Sequence, residues 1–197
     1  YIFEIETIAW RILAIDSEEL YVLSEFILDS KPYNTSDDAI TWADSSIRKW
    51  LNSEFINHAF TSTEKLKINV THVKNGDNPE SGTDGGQDTF DKVFLPSLSD
   101  MTDESMGFRK STDCLNFYRR DLSSAGFETR FTYHTDYSYF NYDIDDSWYP
   151  CNYNYYLRTK GQNEKNSVCL VYTRNLFERY YCTNYDVGGI SQDASQT

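Results

Sequence analysis

An α+β fold is predicted by three observations. The N-terminus carries an apolar, β-branched hairpin pattern, the period turns helical near residue 47, and strand-like segments return after residue 155. The chain has 197 residues, a length that suits one domain and permits burial of roughly 70% of the unfolded surface. A hydrophobic share of 39% supports a core and excludes wholesale disorder. There are 18 Lys plus Arg against 31 Asp plus Glu, a net charge of −13. That sign argues against a nucleic-acid partner, whose phosphates it repels, and against a basic membrane-surface patch. No apolar run approaches the ~18 residues of a membrane span, and no signal-peptide pattern opens the chain. The sequence starts at Tyr1 without an initiator Met, so a piece of a longer or processed product is expected. With neither a fixed-period repeat nor a linker, one domain over residues 1–197 is the simplest organisation.

The elements follow in order. Ile2 to Ile15 is rich in β-branched residues with scattered charges, as on a half-buried strand. Asp16-Ser17-Glu18-Glu19 reads as a turn, Leu20 to Ser24 returns as a second strand, and Pro32 disfavours a helical residue before it. Between Thr41 and Phe60, Ile47, Trp50, Leu51, Phe55 and Ala59 fall on one helical face, with Asp44 or Ser45 as N-cap. Arg48, Lys49, Asn52 and Ser53 are expected on its wet side. Thr61 to Glu64 fits a capping box for a short second helix, and Ile68 to Val73 alternates like a strand. Asn75 to Asp88, with four glycines and Pro79, is expected to be a surface loop. Asp91 to Leu95 recovers as a strand that Pro96 ends, and short helical pieces are expected between Ser97 and Gly126. Residues 131 to 157 are crowded with tyrosine, and three strands are expected at 156–158, 167–172 and 177–182.

Several segments in one order carry a family resemblance. They are Ile8 to Leu13; Ile27-Leu28-Asp29 followed by Pro32-Tyr33-Asn34; and Thr41-Trp42 leading to Ser46-Ile47-Arg48-Lys49-Trp50-Leu51-Asn52. Asp91-Lys92-Val93-Phe94-Leu95 with Ser97, and Tyr155-Tyr156-Leu157-Arg158-Thr159 with Gly161, complete the series. Together they resemble the bacterial domain-of-unknown-function 6273 family over nearly the whole chain. The resemblance implies a C-type-lectin-like fold of the formylglycine-generating-enzyme type: a twisted antiparallel sheet with flanking helices and long irregular loops. Where family members carry Ser-Pro, this chain has Thr159-Lys160, and Pro96 stands at an apolar strand position of the family. The family's closing Gly-Val-Arg-Pro-Ala and apolar strand give way here to Gly189-Ile190-Ser191-Gln192, so 190–197 is expected to be a polar tail or an altered closing strand.

Catalysis finds little footing. His58, His72 and His134 belong to no HExxH, GxSxG or Cys-His signature, and His58 and His72 are read as surface or satisfied histidines. Cys114, Cys151, Cys169 and Cys182 are unclustered, which suits packing residues or two disulfides of open connectivity, and Cys169 and Cys182 are placed to face each other across a hairpin. Only the formylglycine-generating resemblance implies a thiol oxidase using that pair, and it lacks the family's local spacing. No cofactor is expected, apart from calcium. Asp77, Glu80, Asp84 and Asp88 share the Gly-rich loop, and hard cations take several oxygen ligands; a solvated acidic loop is the competing reading. Trp42, Trp50 and Arg158 are expected to be structural, because a buried guanidinium must satisfy up to five donors.

The binding candidates lie near the C-terminus. Residues 151–197 hold 7 Tyr and 6 Asn with a net charge of +1, against 9 Tyr, 8 Asn and a net −14 in the first 150. Tyrosine offers rigid contact area with a polar tip, and asparagine adaptable hydrogen bonds, the composition of antibody loops. Tyr149, Asn152, Tyr153, Asn154, Tyr155, Tyr172, Tyr180, Tyr181, Asn184 and Tyr185 are the expected ligand-binding residues. The expected function is a non-catalytic module, extracellular or at the cell surface, that presents these residues to a protein or glycan partner. A purely structural domain of a larger surface protein is the alternative. Mixed Asn, Tyr, Asp, Ser and Cys at 152–156 and 180–186 is also what adenine-directed mutation by a diversity-generating retroelement leaves behind.

Overall fold

A computed structural model describes residues 7–29, 31–36, 38–79, 81–108, 127–128, 155–161, 168–173 and 180–183. Of Ile27, Tyr155 and residues 127–128, 168–173 and 180–183 it describes the backbone alone. It is a small mixed α+β domain with short sheets. Strands β1 (Trp10–Asp16) and β2 (Glu19–Ser24) form an antiparallel hairpin with Asp16 opposite Glu19. The tight turn places Ser17 at a φ of 52°, a region that short polar residues tolerate best. Of β1's residues only Leu13 is buried.

Strand β3 (Phe26–Ile27) pairs in parallel with β6 (Phe127–Glu128), and β4 (Thr71–Val73) pairs antiparallel with β5 (Thr89–Asp91). Strands β7 (Tyr155–Lys160), β8 (Val168–Thr173) and β9 (Tyr180–Thr183) form an antiparallel three-stranded sheet. The described strands thus form four small sheets rather than one, and one of the four is a parallel pair.

The helical segment starts where the sequence indicates. A 3₁₀ turn at Trp42–Asp44 leads to Ser45, whose hydroxyl accepts from the Arg48 N–H at 3.3 Å and caps α1 (Ser46–Trp50). A π-helical turn at Leu51–Phe55 then inserts before α2 (Ile56–Ala59). The wider turn advances the inward stripe by one residue, so Ile47, Leu51 and Ile56 are buried and Phe55 only half so. The wet-side expectation fails for two residues. Arg48 donates Nε to buried Asp91 at 2.8 Å and Nη1 to the Ala43 carbonyl at 2.7 Å. Asn52 donates to the Val93 carbonyl at 2.8 Å and accepts from the Lys92 and Val93 N–H groups at 2.8 and 3.2 Å. Arg48 is spent on the carboxylate that ends β5 and on the Ala43 carbonyl, and Asn52 on the backbone that follows the strand. The capping box of α3 (Ser62–Lys65) is present as expected.

The expected surface loop at 75–88 is partly interior: Asn75, Asn78, Thr83 and Gly85 are buried. Asn78 donates to the Lys160 carbonyl at 2.7 Å, and its own carbonyl accepts from the Gly82 N–H at 2.8 Å. A side chain at Gly85 would run into the carbonyl oxygens of Asn75 and Gly76, so that close approach requires glycine. The loop folds back on itself and seals the edge of β7.

Two apolar clusters form the core, one of Leu13, Leu98, Met101, Phe108 and Leu157, the other of Tyr33, Trp42, Ile47 and Leu51. Strand β7 is the seam between them. Leu157 belongs to the first cluster, and its neighbour Tyr156 packs on the second with its ring 5.7 Å from Tyr33.

Candidate functional site

The proposed site is carried on the β7–β8–β9 sheet, so what holds β7 comes first. Residues Leu157 to Gly161 are all buried, although three of the five are polar or charged. Most of their polar groups have an identifiable partner. The Arg158 N–H donates to the Pro96 carbonyl at 3.0 Å, and the Leu98 N–H donates to the Thr159 hydroxyl at 2.8 Å. The Arg158 Nη1 donates to the Leu95 carbonyl at 2.8 Å and to the Asp100 carboxylate at 2.7 Å, while the guanidinium lies 5.6 Å from the Phe94 ring. These contacts tie the strand to the 94–100 segment. The Arg158 Nε is buried without a partner, so the tie is incomplete.

Asp100 is pre-positioned by its own turn. Ser97 Oγ accepts from the Asp100 N–H at 3.0 Å, and the Asp100 carboxylate accepts from the Ser97 N–H at 2.7 Å. Tyr21 also donates to Asp100 at 3.4 Å and stacks on Phe94 at 5.9 Å. Burial first, and then the Asp100 charge, push the Tyr21 phenol up to about 12. Desolvation likewise raises the Tyr156 phenol and lowers the Lys160 ammonium. Lys160 reaches across the core to donate to the Ile40 carbonyl at 2.7 Å.

A buried carboxylate, that of Asp91, fixes the helix against the β4–β5 pair. Asp91 accepts from Trp42 Nε1 at 3.0 Å, Thr89 Oγ1 at 2.6 Å and Arg48 Nε at 2.8 Å. Trp42 is only 1% exposed, and the half-buried Trp50 ring lies 5.3 Å from that of Phe55 in a tilted arrangement. The bonds that Asp91, Asp100, Asn78 and Lys160 make are not expected from the sequence alone. The Ser97-x-x-Asp100 spacing is a capping-box signature that marks Asp100, whereas no local pattern announces the other three.

The sheet collects four of the predicted binding residues by backbone position. Tyr155 lies opposite Val171, Tyr172 opposite Tyr181, and Thr173 opposite Tyr180. With a period of two, the adjacent Tyr180 and Tyr181 occupy opposite faces of the sheet. Tyr180 shares the face of Cys182, Val171 and Tyr155; Tyr181 shares that of Tyr172, Leu170 and Tyr156. Tyr149, Asn152, Tyr153, Asn154, Asn184 and Tyr185 lie outside the described residues, as do Cys114, Cys151, His134 and the tail at 190–197. Val171 rather than Cys169 stands opposite Cys182, so Cys169 and Cys182 are at best diagonal neighbours and not the facing pair expected.

The acidic loop uses its carboxylates on itself. Asp77 accepts from the Gly85 N–H at 3.2 Å, Asp84 from the Gly86 N–H at 2.8 Å, and Asp88 from the Asn75 N–H at 2.9 Å and from His72 Nε2 at 3.0 Å. Glu80 lies outside the described residues. Among the described residues no three His, Cys, Asp or Glu side chains converge as a metal site would require. None of the described helices is long and apolar enough to cross a membrane.

The model of one family, described as "Domain of unknown function (DUF6273)", matches residues 17–188. No curated protein and no solved structure matches the chain.

Proposed function

The chain belongs to the DUF6273 family, and from that premise we propose that it is a non-catalytic ligand-binding module of C-type-lectin-like fold, acting at or outside the cell surface. The observation that carries this reading is the change of composition along the chain. Residues 151–197 hold 13 of the chain's 30 Tyr plus Asn with a net charge of +1, on a frame whose first 150 residues carry −14. Strand pairing supports it, because the backbones of Tyr155, Tyr172, Tyr180 and Tyr181 meet in one sheet anchored by β7. The ligand is a protein or glycan surface on which tyrosine rings stack and asparagine amides bond.

The register narrows the set. Tyr156 sits against Tyr33 in the core, so its face of the sheet is turned to the frame, and Tyr172 and Tyr181 share that parity. Leu157, buried in the first cluster, follows Tyr156 where the register shifts, so the alternation is read from Tyr155 and Tyr156 alone, and on it Tyr155 and Tyr180 are assigned to the recognition face. Screening the 197-residue chain on glycan and protein arrays tests the proposal. A saturable hit that Tyr180→Ala weakens supports it; a chain that binds nothing on either array counts against a recognition module and favours a purely structural domain.

A further inference from the structure

Exposed apolar residues are ordinary when scattered and informative when gathered. Of the large apolar side chains that stand in solvent, Ile15 (69%), Leu20 (57%), Leu66 (85%), Val70 (60%) and Phe90 (67%) collect on one side of the molecule. Three links place them there. Ile15 and Leu20 are directly opposite at the end of the β1–β2 hairpin. Asn69, beside Val70, donates to Glu19 at 2.9 Å and so holds the hairpin turn against the approach to β4. Lys92 donates to the Lys65 carbonyl at 2.9 Å, which draws the end of α3 and Leu66 toward β5. On the outer face of the β4–β5 pair, Phe90 lies opposite His72 with the rings stacked at 5.0 Å, and Val70 precedes His72 by one period.

The band is electrically divided. At the turn, Ile15 and Leu20 flank Asp16, Glu18 and Glu19, and no basic residue occurs between Ile12 and Ser24. Beyond Asn69 the sign reverses. Residues 61–75 hold Lys65, Lys67 and Lys74 against the single acid Glu64, which is occupied in the α3 capping box, and Lys92 adds a fourth cation. The other nearby carboxylate, Asp88, is engaged with His72 and the Asn75 N–H. A basic, apolar surface in a chain of net charge −13 is the exception to its composition.

We propose that this band is a self-association face, on which a second copy of the chain docks about a two-fold axis. The acidic apolar turn of each copy then lies on the basic apolar surface of the other. The division of charge selects this occupant. A uniformly acidic partner, or an anionic lipid surface, matches the lysine half and is repelled by the turn; a uniformly basic one meets the reverse. Two complementary halves lying side by side satisfy each other in an isologous pair, where residue i meets j and j meets i. The exposed apolar residues supply the area removed from water, and the charges fix the register.

Sedimentation velocity on the 197-residue chain, over about a hundredfold range of concentration around the micromolar, reads the assembly directly. A concentration-dependent dimer is expected. Phe90→Ser and Leu66→Ser change exposed positions and should each weaken it at least about tenfold, the order expected for central apolar contacts, while the thermal midpoint stays put. Lys67→Glu and Glu18→Lys should each weaken it, and the two combined in one chain should restore it, because each reversed charge then meets its reversed mate. A chain monomeric throughout the range overturns the proposal. So does a dimer indifferent to Phe90→Ser, or a double reversal no better than the worse single. Binding of the monomer to phosphatidylserine vesicles without dimerisation would reassign the face to an anionic lipid surface and likewise overturn it.

Discussion

Strands β7 and β9 belong to one sheet and both begin Tyr-Tyr, yet their surroundings differ. In β7 the pair precedes a fully buried run, Leu157 to Gly161, whose backbone and side chains are bonded to the 94–100 segment, to Asn78 and to Ile40. In β9, among the described residues, the pair is aligned with β8 alone. The lesson from β7 is that neighbouring tyrosines on a strand occupy opposite faces. Tyr156 is committed to the core beside Tyr33, and the alternation of the strand places Tyr155 on the other face. The same alternation places Tyr180 and Tyr181 on opposite faces of the sheet.

Breaking the frame at β7 gives the largest effect. Arg158→Met keeps the stem packing but leaves the Asp100 carboxylate beneath Tyr21 without its cation, a change that costs about 3–5 kcal/mol when a buried pair loses one member. Chemical denaturation of the variant measures it, and a loss below about 1 kcal/mol would mean that the pair is solvated. Leu157→Ala empties a fully buried position in the first cluster and should cost about 2–5 kcal/mol, depending on how far Leu13, Met101 and Phe108 collapse into the space.

Smaller effects sharpen the contrast through pH. Lys160 has a depressed folded-state value, so between that value and its ordinary one the unfolded chain binds more protons, and stability rises with pH through that window. Lys160→Met removes the rise and exchanges a bond to the Ile40 carbonyl for apolar fill, a net change within about 1.5 kcal/mol at neutral pH. Stability against pH from 7 to 10, compared between the two chains, checks the sign. The buried phenols act in the opposite direction. Tyr21 and Tyr156 hold their protons longer when folded, so their contribution is lost as pH climbs above the ordinary phenol value of about 10. Tyr156→Phe should be nearly neutral at pH 7 and less sensitive to alkali than the parent, as followed by thermal melts in alkaline buffers.

Periodicity and end signals made part of this fold legible in advance. Ser45, Thr61 and Glu64 cap where their spacing says, and the two N-terminal strands meet at the Asp16–Glu19 turn. The inward stripe slipped by one residue after Leu51, because a π-helical turn is not announced by a 3.6-residue pattern. Arg48 and Asn52 were misplaced because their partners, Asp91 and Val93, are some forty residues away. A local reading sees a polar residue on a helix and not the carboxylate or carbonyl that a distant strand brings to it. The same holds for Asn78, whose burial depends on the edge of β7. For the proposed recognition residues the sequence offers a composition, and strand register divides four of them, Tyr155, Tyr172, Tyr180 and Tyr181, between two faces.

The division of Tyr180 from Tyr181 is the point on which this account stands most exposed. Each is changed singly to alanine, and binding to an array-identified ligand is measured beside thermal stability. The expected result is a split: Tyr180→Ala loses binding by at least about tenfold with its melting temperature unchanged, as for a contact anchor. Tyr181→Ala lowers the melting temperature and leaves the affinity of the folded protein near the parent value. Equal loss of binding from both, at unchanged stability, or a collapse of stability on removing Tyr180, would contradict it.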